Sequence, residues 1–399
     1  MGSLKKLKRL ISAVMATAVM LTAFAGLSVT ASAKSQWDGY TKISSAADLV
    51  KMKNSDGKFY LTKDIDLKSY GNWEEAIRFS GTLDGNGFSV KNLTSEKYGL
   101  FYSLTDATVK NLGVTNVKIK TKNSVGALTN GCKNSKIENC YVTGSIESDG
   151  HAGGLVGYDT GATKGKNTLT NCVNMASVKS TKHSAFGIIK SESTDVLKNC
   201  VNYGDITGFN TAAGVCDRVG TNMVSCYNLG KVASTDEPEN VGGLAYYVTE
   251  TLENCATCEP TFTHSTSANC TAEAKVNVSK STFKKADTYV GFDFGKTWTI
   301  NSKINSGRPV LTTMLRDYNG SRPTASKPAG SYKNSVKVEL TTDIEGGVVR
   351  YTTNGKTPTA SSTKYSKPLT IKKNTTVKAA VFVDGVMAKV VTLKYTITK

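Results

Sequence analysis

An asparagine followed by a cysteine recurs in four similar stretches: IENCYVTGSI (137–146), LTNCVNMASV (169–178), LKNCVNYGDI (197–206) and MVSCYNLGKV (223–232), where serine replaces the asparagine. Thiolates bind soft metals, act as nucleophiles and pair as disulfides. The copies could therefore form a metal site, a disulfide framework or a catalytic group, or could mark an architectural repeat. The chain has nine cysteines, an odd number, so at least one thiol is unpaired within a monomer.

A zinc site is the most specific of these alternatives. Cys255, Cys258, His264 and Cys270 have the spacing C-x2-C-x5-H-x5-C, which is compatible with zinc. Cys255, however, already belongs to the recurring unit, and the segment has no other metal signature. A disulfide between Cys258 and Cys270 fits the spacing equally well. We therefore predict no metal site and no cofactor.

The acidic and histidine residues do not indicate catalysis. Glycosidases need two carboxylates at a defined separation, and the acidic residues of the repeats share no column. Those acidic residues are Asp149, Asp159, Asp205 and Asp217. The three histidines are scattered, and we interpret His151 and His183 as surface residues. We predict no catalytic residue and favour a non-enzymatic protein; the alternative is a β-helix polysaccharide lyase or glycoside hydrolase.

The Asn-Cys unit keeps step with a second motif. The Asn column (Asn111, Asn139, Asn171, Asn199, Ser225, Asn254) advances by 28, 32, 28, 26 and 29 residues. A Gly-Leu column advances by 28, 27, 33, 27 and 29 residues; its members begin at Gly99, Ala127, Gly154, Gly187, Gly214 and Gly243. Two columns with one period near 28 residues indicate an internal repeat of stacked units.

The composition of each unit predicts one coil of a parallel β-helix. Its segments are short, β-rich and separated by Gly, Asn, Ser and Thr. Ile137 and Ile146 are an odd number of positions apart, so both face the core only if the chain bends at Asn139, a residue that tolerates left-handed backbone. We expect a ladder of Asn corners with inward cysteines as small hydrophobic residues. Its members are Asn139, Cys140, Asn171, Cys172, Asn199, Cys200, Cys226, Asn254 and Cys255.

The two ends of the solenoid require covers. Residues 44–53 predict an amphipathic capping helix with Ser44 or Ser45 as N-cap. Within 291–311, Phe292, Phe294 and Trp298 are expected to close the far end.

Residues 1–33 predict a secretory signal. They combine a basic start, an apolar run and the small-residue site Ala-Ser-Ala, with cleavage after Ala33. We therefore expect a secreted protein, attached to the cell surface non-covalently if at all, with no membrane span.

One interval of the repeat is longer than the others and contains YDTGATKGKN (158–167). Insertions on solenoids often lie on the binding face, so Tyr158, Asp159, Lys164 and Lys166 are candidate ligand residues. The alternative is ordinary variation in loop length.

Positive charge is concentrated at the C-terminal end. Of the formal net charge of +18, residues 1–33 contribute +4 and residues 323–399 contribute +9. This excess predicts a glycan or an anionic cell-wall polymer as partner; the alternative is only a charged, soluble surface. Nucleic-acid motifs and interleaved aromatic residues are missing, so we expect no nucleic-acid partner. The sequence does not determine the oligomeric state.

Two family resemblances extend this interpretation. The stretches FSGTLDGNGFSVKNLT (79–94), GGLVG (153–157) and FDFGKTWTI resemble bacterial surface proteins with GLUG-type repeats, which implies a right-handed β-helix on an exported protein of the adhesion type. Phe186, Ala213 and Ser225 depart from the repeat pattern. The stretch that begins with YTTNGKTPT resembles the chitobiase/β-hexosaminidase C-terminal domain, and the resemblance covers about 325–397. It implies an immunoglobulin-like sandwich.

The expected protein is thus all-β: a right-handed parallel β-helix followed by a small immunoglobulin-like β-sandwich. The predicted divisions are a signal peptide (1–33), the β-helix with its capping helix (34–315), a linker (316–331) and the sandwich (332–399).

Overall fold

The computed structural model describes residues 36–159, 166–191, 195–219, 223–248, 252–258, 264–265 and 278–399. Residues 40–399 form one unit. The predicted signal segment, 1–33, lies outside the described residues.

A parallel β-solenoid occupies the first two thirds of this unit, as the repeat predicted. Its first sheet has nine strands: Thr41–Ile43, Lys58–Leu61, Thr82–Asp84, Thr108–Lys110, Lys136–Glu138, Thr168–Thr170, Val196–Lys198, Met223–Val224 and Leu252–Glu253. Its second sheet has eleven: Ile65–Asp66, Ser89–Lys91, Thr94–Ser95, Gly113–Thr121, Tyr141–Ser148, Val173–Ser180, Val201–Asn202, Ile206–Gly208, Tyr227–Asn228, Val232–Ser234 and Ala256–Thr257.

Shorter sheets complete each coil. The third has five strands: Val125–Gly126, Ala152–Gly153, Ala185–Phe186, Ala212–Ala213 and Val241–Gly242. The fourth side has two groups of strands, bridged by Ile189: first Arg78–Phe79, Phe101–Thr105, Thr129–Lys133 and Val156–Asp159, then Cys216–Val219, Ala245–Val248 and His264–Ser265.

In-register stacking places like residues above one another inside the solenoid. In the first sheet Ile137 pairs with Leu169, and Leu169 pairs with Leu197. All three side chains are buried in the same core. Each apolar position therefore contributes to one continuous core, which a single coil could not bury alone.

A second asparagine ladder lies inside the solenoid, and our sequence analysis missed it. Asn174 Nδ2 donates to Asn202 Oδ1 (2.7 Å), and Asn202 Nδ2 donates to Asn228 Oδ1 (2.8 Å). All three side chains are fully buried. Each lies three residues after a corner position, and that spacing was visible in the repeat.

This inner ladder explains the glycine of the Gly-Leu column. A Cβ added at Gly187 would lie 1.9 Å from the carbonyl oxygen of Gly214 and 2.7 Å from Cγ of Asn202. Equivalent collisions would occur at Gly154 and Gly214 with their own neighbouring amides. Glycine is needed here because backbone and a buried amide approach it closely.

A short helix, Ala46–Val50, lies at the start of the solenoid. Ser45 is its N-cap, and its Oγ accepts a hydrogen bond from Asp48 N (3.2 Å). Leu49 and Met52 are completely buried in the solenoid core.

The aromatic residues near 292–298 do not close the far end, and that expectation was wrong. They pack along the flank of the second sheet, where Tyr141, Val173, Val201 and Tyr227 form an outward-facing, buried apolar column. The rings of Phe292 and Trp298 lie 4.1 Å apart at their centroids, and the rings of Phe292 and Tyr227 lie 5.6 Å apart. The residue after each cysteine of the Asn-Cys column is apolar and faces outward, so this flank requires a cover.

Short 3-10 turns carry the chain along this flank. They are Thr282–Lys284, Ala286–Thr288, Asn305–Gly307, Thr312–Asp317 and Asn319–Ser321, with an antiparallel strand pair of Trp298–Thr299 and Val310–Leu311.

The first part of the segment predicted as a linker, 316–331, packs against the rest of the chain, whereas residues 326–331 are exposed. Asp317 accepts a hydrogen bond from Tyr141 Oη (2.9 Å) and lies 3.5 Å from Lys91 Nζ. The Arg316 guanidinium lies 3.9 Å from the Phe88 ring centre, and its Nε donates to the carbonyl of Met387. This segment therefore joins the solenoid flank to the C-terminal module.

The C-terminal module is a small sandwich of β-strands, as predicted. One sheet has six strands: Gly330–Lys333, Val348–Thr352, Thr363–Lys364, Thr375–Val383, Val386–Met387 and Val391–Thr398. Two antiparallel pairs lie beside it: Thr324–Ala325 with Leu340–Thr341, and Val336–Val338 with Leu369–Ile371.

The close approach at Gly187 predicts that Gly187→Ala destabilises the solenoid. The added methyl group has no space beside the Gly214 carbonyl, and we expect a loss of about 3 kcal/mol or more in the free energy of unfolding. The measurement is chemical denaturation followed by circular dichroism. Gly71→Ala is the control, because Gly71 has φ +82° but no atom within 4 Å of an added Cβ, so only backbone strain of about 1–2 kcal/mol applies. Equal losses in both variants would contradict the steric explanation.

Candidate functional site

The Asn corner positions adopt the left-handed backbone. The φ values of Asn139, Asn171 and Asn199 are +52° to +53°, and Ser225 and Asn254 share them. This conformation turns the chain between the first and second sheets. Asparagine adopts it at lower energetic cost than most residues.

The corner side chains are joined from coil to coil. Asn139 Nδ2 donates to Asn111 Oδ1 (2.9 Å), Asn171 Nδ2 to Asn139 Oδ1 (3.0 Å), and Asn199 Nδ2 to Asn171 Oδ1 (3.0 Å). At the first coil, Asn111 Nδ2 donates to the Asp84 carboxylate (3.1 Å). The row stops at Ser225, whose side chain is too short to continue it.

The segment that contains Gly291 and Trp298 contacts this row of amides from outside the solenoid. Trp298 Nε1 donates to Asn171 Oδ1 (3.2 Å), and Asn199 Nδ2 lies 3.4 Å from the carbonyl of Gly291. These bonds occupy the corner amides except at the end of the row, where Asn199 Oδ1 is buried without a hydrogen-bond partner among the described residues. The arrangement is structural.

The cysteine column lies directly inside the corners. Cys140, Cys172, Cys200, Cys226 and Cys255 are buried, and all five are free thiols. Their sulfur atoms lie within hydrogen-bond distance of core carbonyls; for example, Cys140 Sγ is 3.3 Å from the Glu138 carbonyl. Burial raises the pKa of the Cys140 thiol to about 12, because the charged thiolate would be desolvated.

The structure describes only some of the side chains of the alternative zinc site. Cys255 lies in the buried column and Cys258 is half-buried. The His264 side chain and Cys270 lie outside the described residues. Among the residues that the structure does describe, no three His, Cys, Asp or Glu side chains are arranged to hold a metal ion.

The two histidines of the third and fourth coils meet. The rings of His151 and His183 lie 5.0 Å apart. His151 is half-buried rather than a surface residue, and burial, Lys190 and His183 together lower its pKa to about 4. His183 is exposed, as expected.

The candidate ligand residues are only partly placed. Tyr158 is half-buried and lines a groove with Tyr98 and Tyr102. Asp159 ends the strand Val156–Asp159, and Lys166 is exposed. Lys164 lies outside the described residues. Our sequence analysis missed Tyr98 and Tyr102, because they precede the Asn-Cys copies.

The C-terminal six-stranded sheet has a basic outer face, which we call the basic sheet face. It carries one cation from each of five strands: Lys333, Arg350, Lys364, Lys378 and Lys394. Arg350 pairs with Lys364 and with Ala380, so these three residues lie on the same side of the sheet. This is the outer side, because Ala380 alternates along its strand with the inward residues Val377, Ala379, Val381 and Val383. The strands of this sheet contain no Asp or Glu.

Comparison with known families identifies two parts of the chain. Residues 327–392 match the chitobiase/β-hexosaminidase C-terminal domain. Residues 29–144 match the N-terminal region of the M26 IgA1-specific metallo-endopeptidases. The first match agrees with the predicted resemblance. The GLUG-type resemblance is not among these matches and stays a prediction.

Short segments of curated proteins are similar to part of this chain. The immunoglobulin A1 protease of Streptococcus sanguinis is 33% identical over 128 residues, covering 29% of this chain and 7% of the relative. The halomucin of Haloquadratum walsbyi is 34% identical over 120 residues, covering 26% of this chain and 1% of the relative. The chain therefore spans only a small fraction of these proteins.

A crystal structure from Bacteroides ovatus, provisionally named an immunoglobulin A1 protease, is similar in fold. Its TM-score is 0.56 at 19% identity, covering 68% of this chain and 92% of that one. This likeness supports the fold alone.

The zinc-protease signature His-Glu-x-x-His does not occur in the present sequence, where alanine or serine follows each histidine.

No helix within the described ranges has both the length and the apolar character needed to cross a membrane.

The coil-to-coil amides predict that Asn171→Asp destabilises the solenoid. The carboxylate cannot donate to Asn139 Oδ1 and repels that oxygen, so we expect a loss of about 1–3 kcal/mol in the free energy of unfolding. The measurement is urea denaturation followed by tryptophan fluorescence, to which the neighbouring Trp298 contributes. Asn54→Asp is the matched control, because Asn54 is exposed at φ +58°. A loss as small as that of the control would show that the amide row contributes little.

Burial of the cysteine column predicts resistance to thiol reagents. In the native protein at neutral pH, we expect Cys140, Cys172, Cys200, Cys226 and Cys255 to stay unmodified by iodoacetamide, because a reagent needs access and a thiolate. After denaturation all five should react, which peptide mass spectrometry can measure. Disulfide-linked peptides, or rapid native labelling, would contradict the buried-thiol arrangement.

Proposed function

We propose that this chain is an exported, surface-associated binding protein whose C-terminal module attaches to an anionic polymer through the basic sheet face. The single observation behind this proposal is the row of five cations on a sheet whose strands have no acidic residue. Cations held at strand spacing match the repeated charges of a polymer better than scattered surface lysines do.

The cations are close enough to act together. Arg350 and Lys364 lie directly opposite one another, and Lys378 and Lys394 occupy diagonal positions on adjacent strands. Such diagonal neighbours are roughly 7–8 Å apart between backbone positions. Like charges at this distance repel, so a polyanion that neutralises them is favoured.

Few acidic groups compete for these cations. Within 323–399 the acidic residues are Glu339, Asp343, Glu345 and Asp384, all outside the strands of the six-stranded sheet. Asp343 is already paired with Lys303 (2.9 Å), and this lysine lowers the pKa of Asp343. None of the five cations forms an ion pair with another described residue.

The comparisons with known families support the proposal that the protein is exported and associated with a surface. The module matches a domain named for carbohydrate-active proteins, and the start of the solenoid matches an N-terminal region of the M26 metallo-endopeptidases. We propose that the solenoid serves as a non-catalytic, adhesion-type segment. The predicted signal at 1–33 and the GLUG-type resemblance agree with this role.

The basic sheet face predicts salt-sensitive binding to polyanions. We expect the purified chain to bind immobilised teichoic acid or heparin at low salt and to be released as salt screens the contacts. Each cation near an anionic surface contributes about 1 kcal/mol, so the double variant Lys378→Glu/Lys394→Glu should weaken binding roughly tenfold or more.

Lys372→Glu/Lys373→Glu provides the matched control. It makes the same charge change in the same module, in an exposed loop outside the sheet. Equal weakening by both double variants would show that net charge, not the sheet face, determines binding. No binding to either polyanion at low salt would refute the proposed function.

A further inference from the structure

The groove beside Tyr158 has the composition of a binding site that the proposed function does not use. Its volume is about 340 Å³, and it is lined by Tyr98, Tyr102, Asn123, Ser124, Asn130 and Tyr158. A volume of this order lies within the range of small-ligand sites. Among the described residues, this lining contains aromatic rings, amides and hydroxyl groups but no carboxylate or ammonium group.

Two glycines allow three coils to contribute to one groove. In the fourth-side sheet Ser103 pairs with Gly131, and Gly131 pairs with Tyr158. Because Gly131 has no side chain, Tyr158 can reach back toward Tyr102 across one coil. Gly157 lets the coils approach closely next to Tyr158, since an added Cβ would lie 2.6 Å from the Asn130 carbonyl oxygen.

Neighbouring groups fix the tyrosine rings. Tyr98 and Tyr102 have ring centres 5.1 Å apart and ring planes at 87°. The Arg78 guanidinium lies 4.1 Å from the centre of the Tyr102 ring. The three tyrosines are half-buried. Burial is the main reason why the pKa of Tyr158 is raised. The rings are therefore held in place before a ligand arrives.

The polar groups favour a ligand with many hydroxyls. Asn130 Oδ1 already accepts from Gly99 N (2.8 Å), and Ser124 Oγ accepts from His151 N (3.1 Å), so these two groups support the backbone. The phenol hydroxyls and the exposed Asn123 amide can each donate and accept. Hydroxyl groups of a ligand can do the same, whereas a carboxylate or phosphate can only accept.

We propose that this groove binds a neutral saccharide, with one sugar ring lying against a tyrosine face and its hydroxyls bonded to the phenols and to Asn123. The C–H groups on a pyranose face carry partial positive charge, which matches the negative face of an aromatic ring. This site is separate from the basic sheet face, and either can fail without the other.

The test uses the full chain and short neutral oligosaccharides of glucose, mannose, galactose and N-acetylglucosamine, measured by titration calorimetry. High salt is used throughout, because it screens contacts with the basic sheet face. We expect at least one oligosaccharide to bind, and Tyr102→Ala and Tyr158→Ala each to weaken binding about tenfold. Tyr70→Ala is the control, since Tyr70 is 39% exposed and lies outside the groove; it should bind as the original chain does.

Two milder variants separate binding from folding. Tyr158→Phe and Asn123→Ala remove polar atoms and leave the packing of the rings in place, so circular dichroism should be unchanged while binding falls severalfold. Absence of binding to every oligosaccharide, or equal binding by all the groove variants, would overturn the proposal. Tyrosine-dependent binding of unstructured peptides without any saccharide binding would overturn the ligand class. Lys378→Glu/Lys394→Glu should leave saccharide binding unchanged.

Discussion

The structure depends on the in-register stacking of successive coils, which places each residue beside its own counterpart. A side chain at such a position must be compatible with a copy of itself. Asparagine meets this condition because one amide carries both a donor and an acceptor, as the bonds from Asn199 to Asn171 and from Asn171 to Asn139 show. The buried Asn174, Asn202 and Asn228 use the same property inside the solenoid.

The alternation of side chains along each strand creates the flank that organises the rest of the chain. When Cys140 and Cys226 face the core, Tyr141 and Tyr227 must face outward. This apolar column is covered by the segment that contains Phe292 and Trp298, which also supplies a hydrogen bond to the corner row. Asp317 then ties the flank to the module through Tyr141 and Lys91. Solenoid and module are consequently joined by packing rather than by a free linker.

The two proposed binding surfaces do not use the repeated positions of the coils. The groove at Tyr98, Tyr102 and Tyr158 lies where Gly131 stands between Ser103 and Tyr158 in the strand register of the fourth side. On the module, the cations are not repeats of one another; they come from five strands brought side by side. The residues of the proposed binding surfaces therefore differ from those that build the coils, and the Asn-Cys copies belong to the architecture.

The sequence by itself determined the period, the β-solenoid and the sandwich. The solenoid was predictable because each repeat places the same residue types at the same positions of every coil. The inner asparagines also recur in the sequence, three residues after each corner. The alternation of side chains along a strand did not by itself show that an amide could be buried there. Tertiary structure decided where the aromatic segment packs, since nothing local distinguishes the end of a solenoid from its flank. It also decided which tyrosines and cations meet, because Tyr98 and Tyr158 become neighbours only through coil stacking, and Arg350 and Lys364 only through strand pairing.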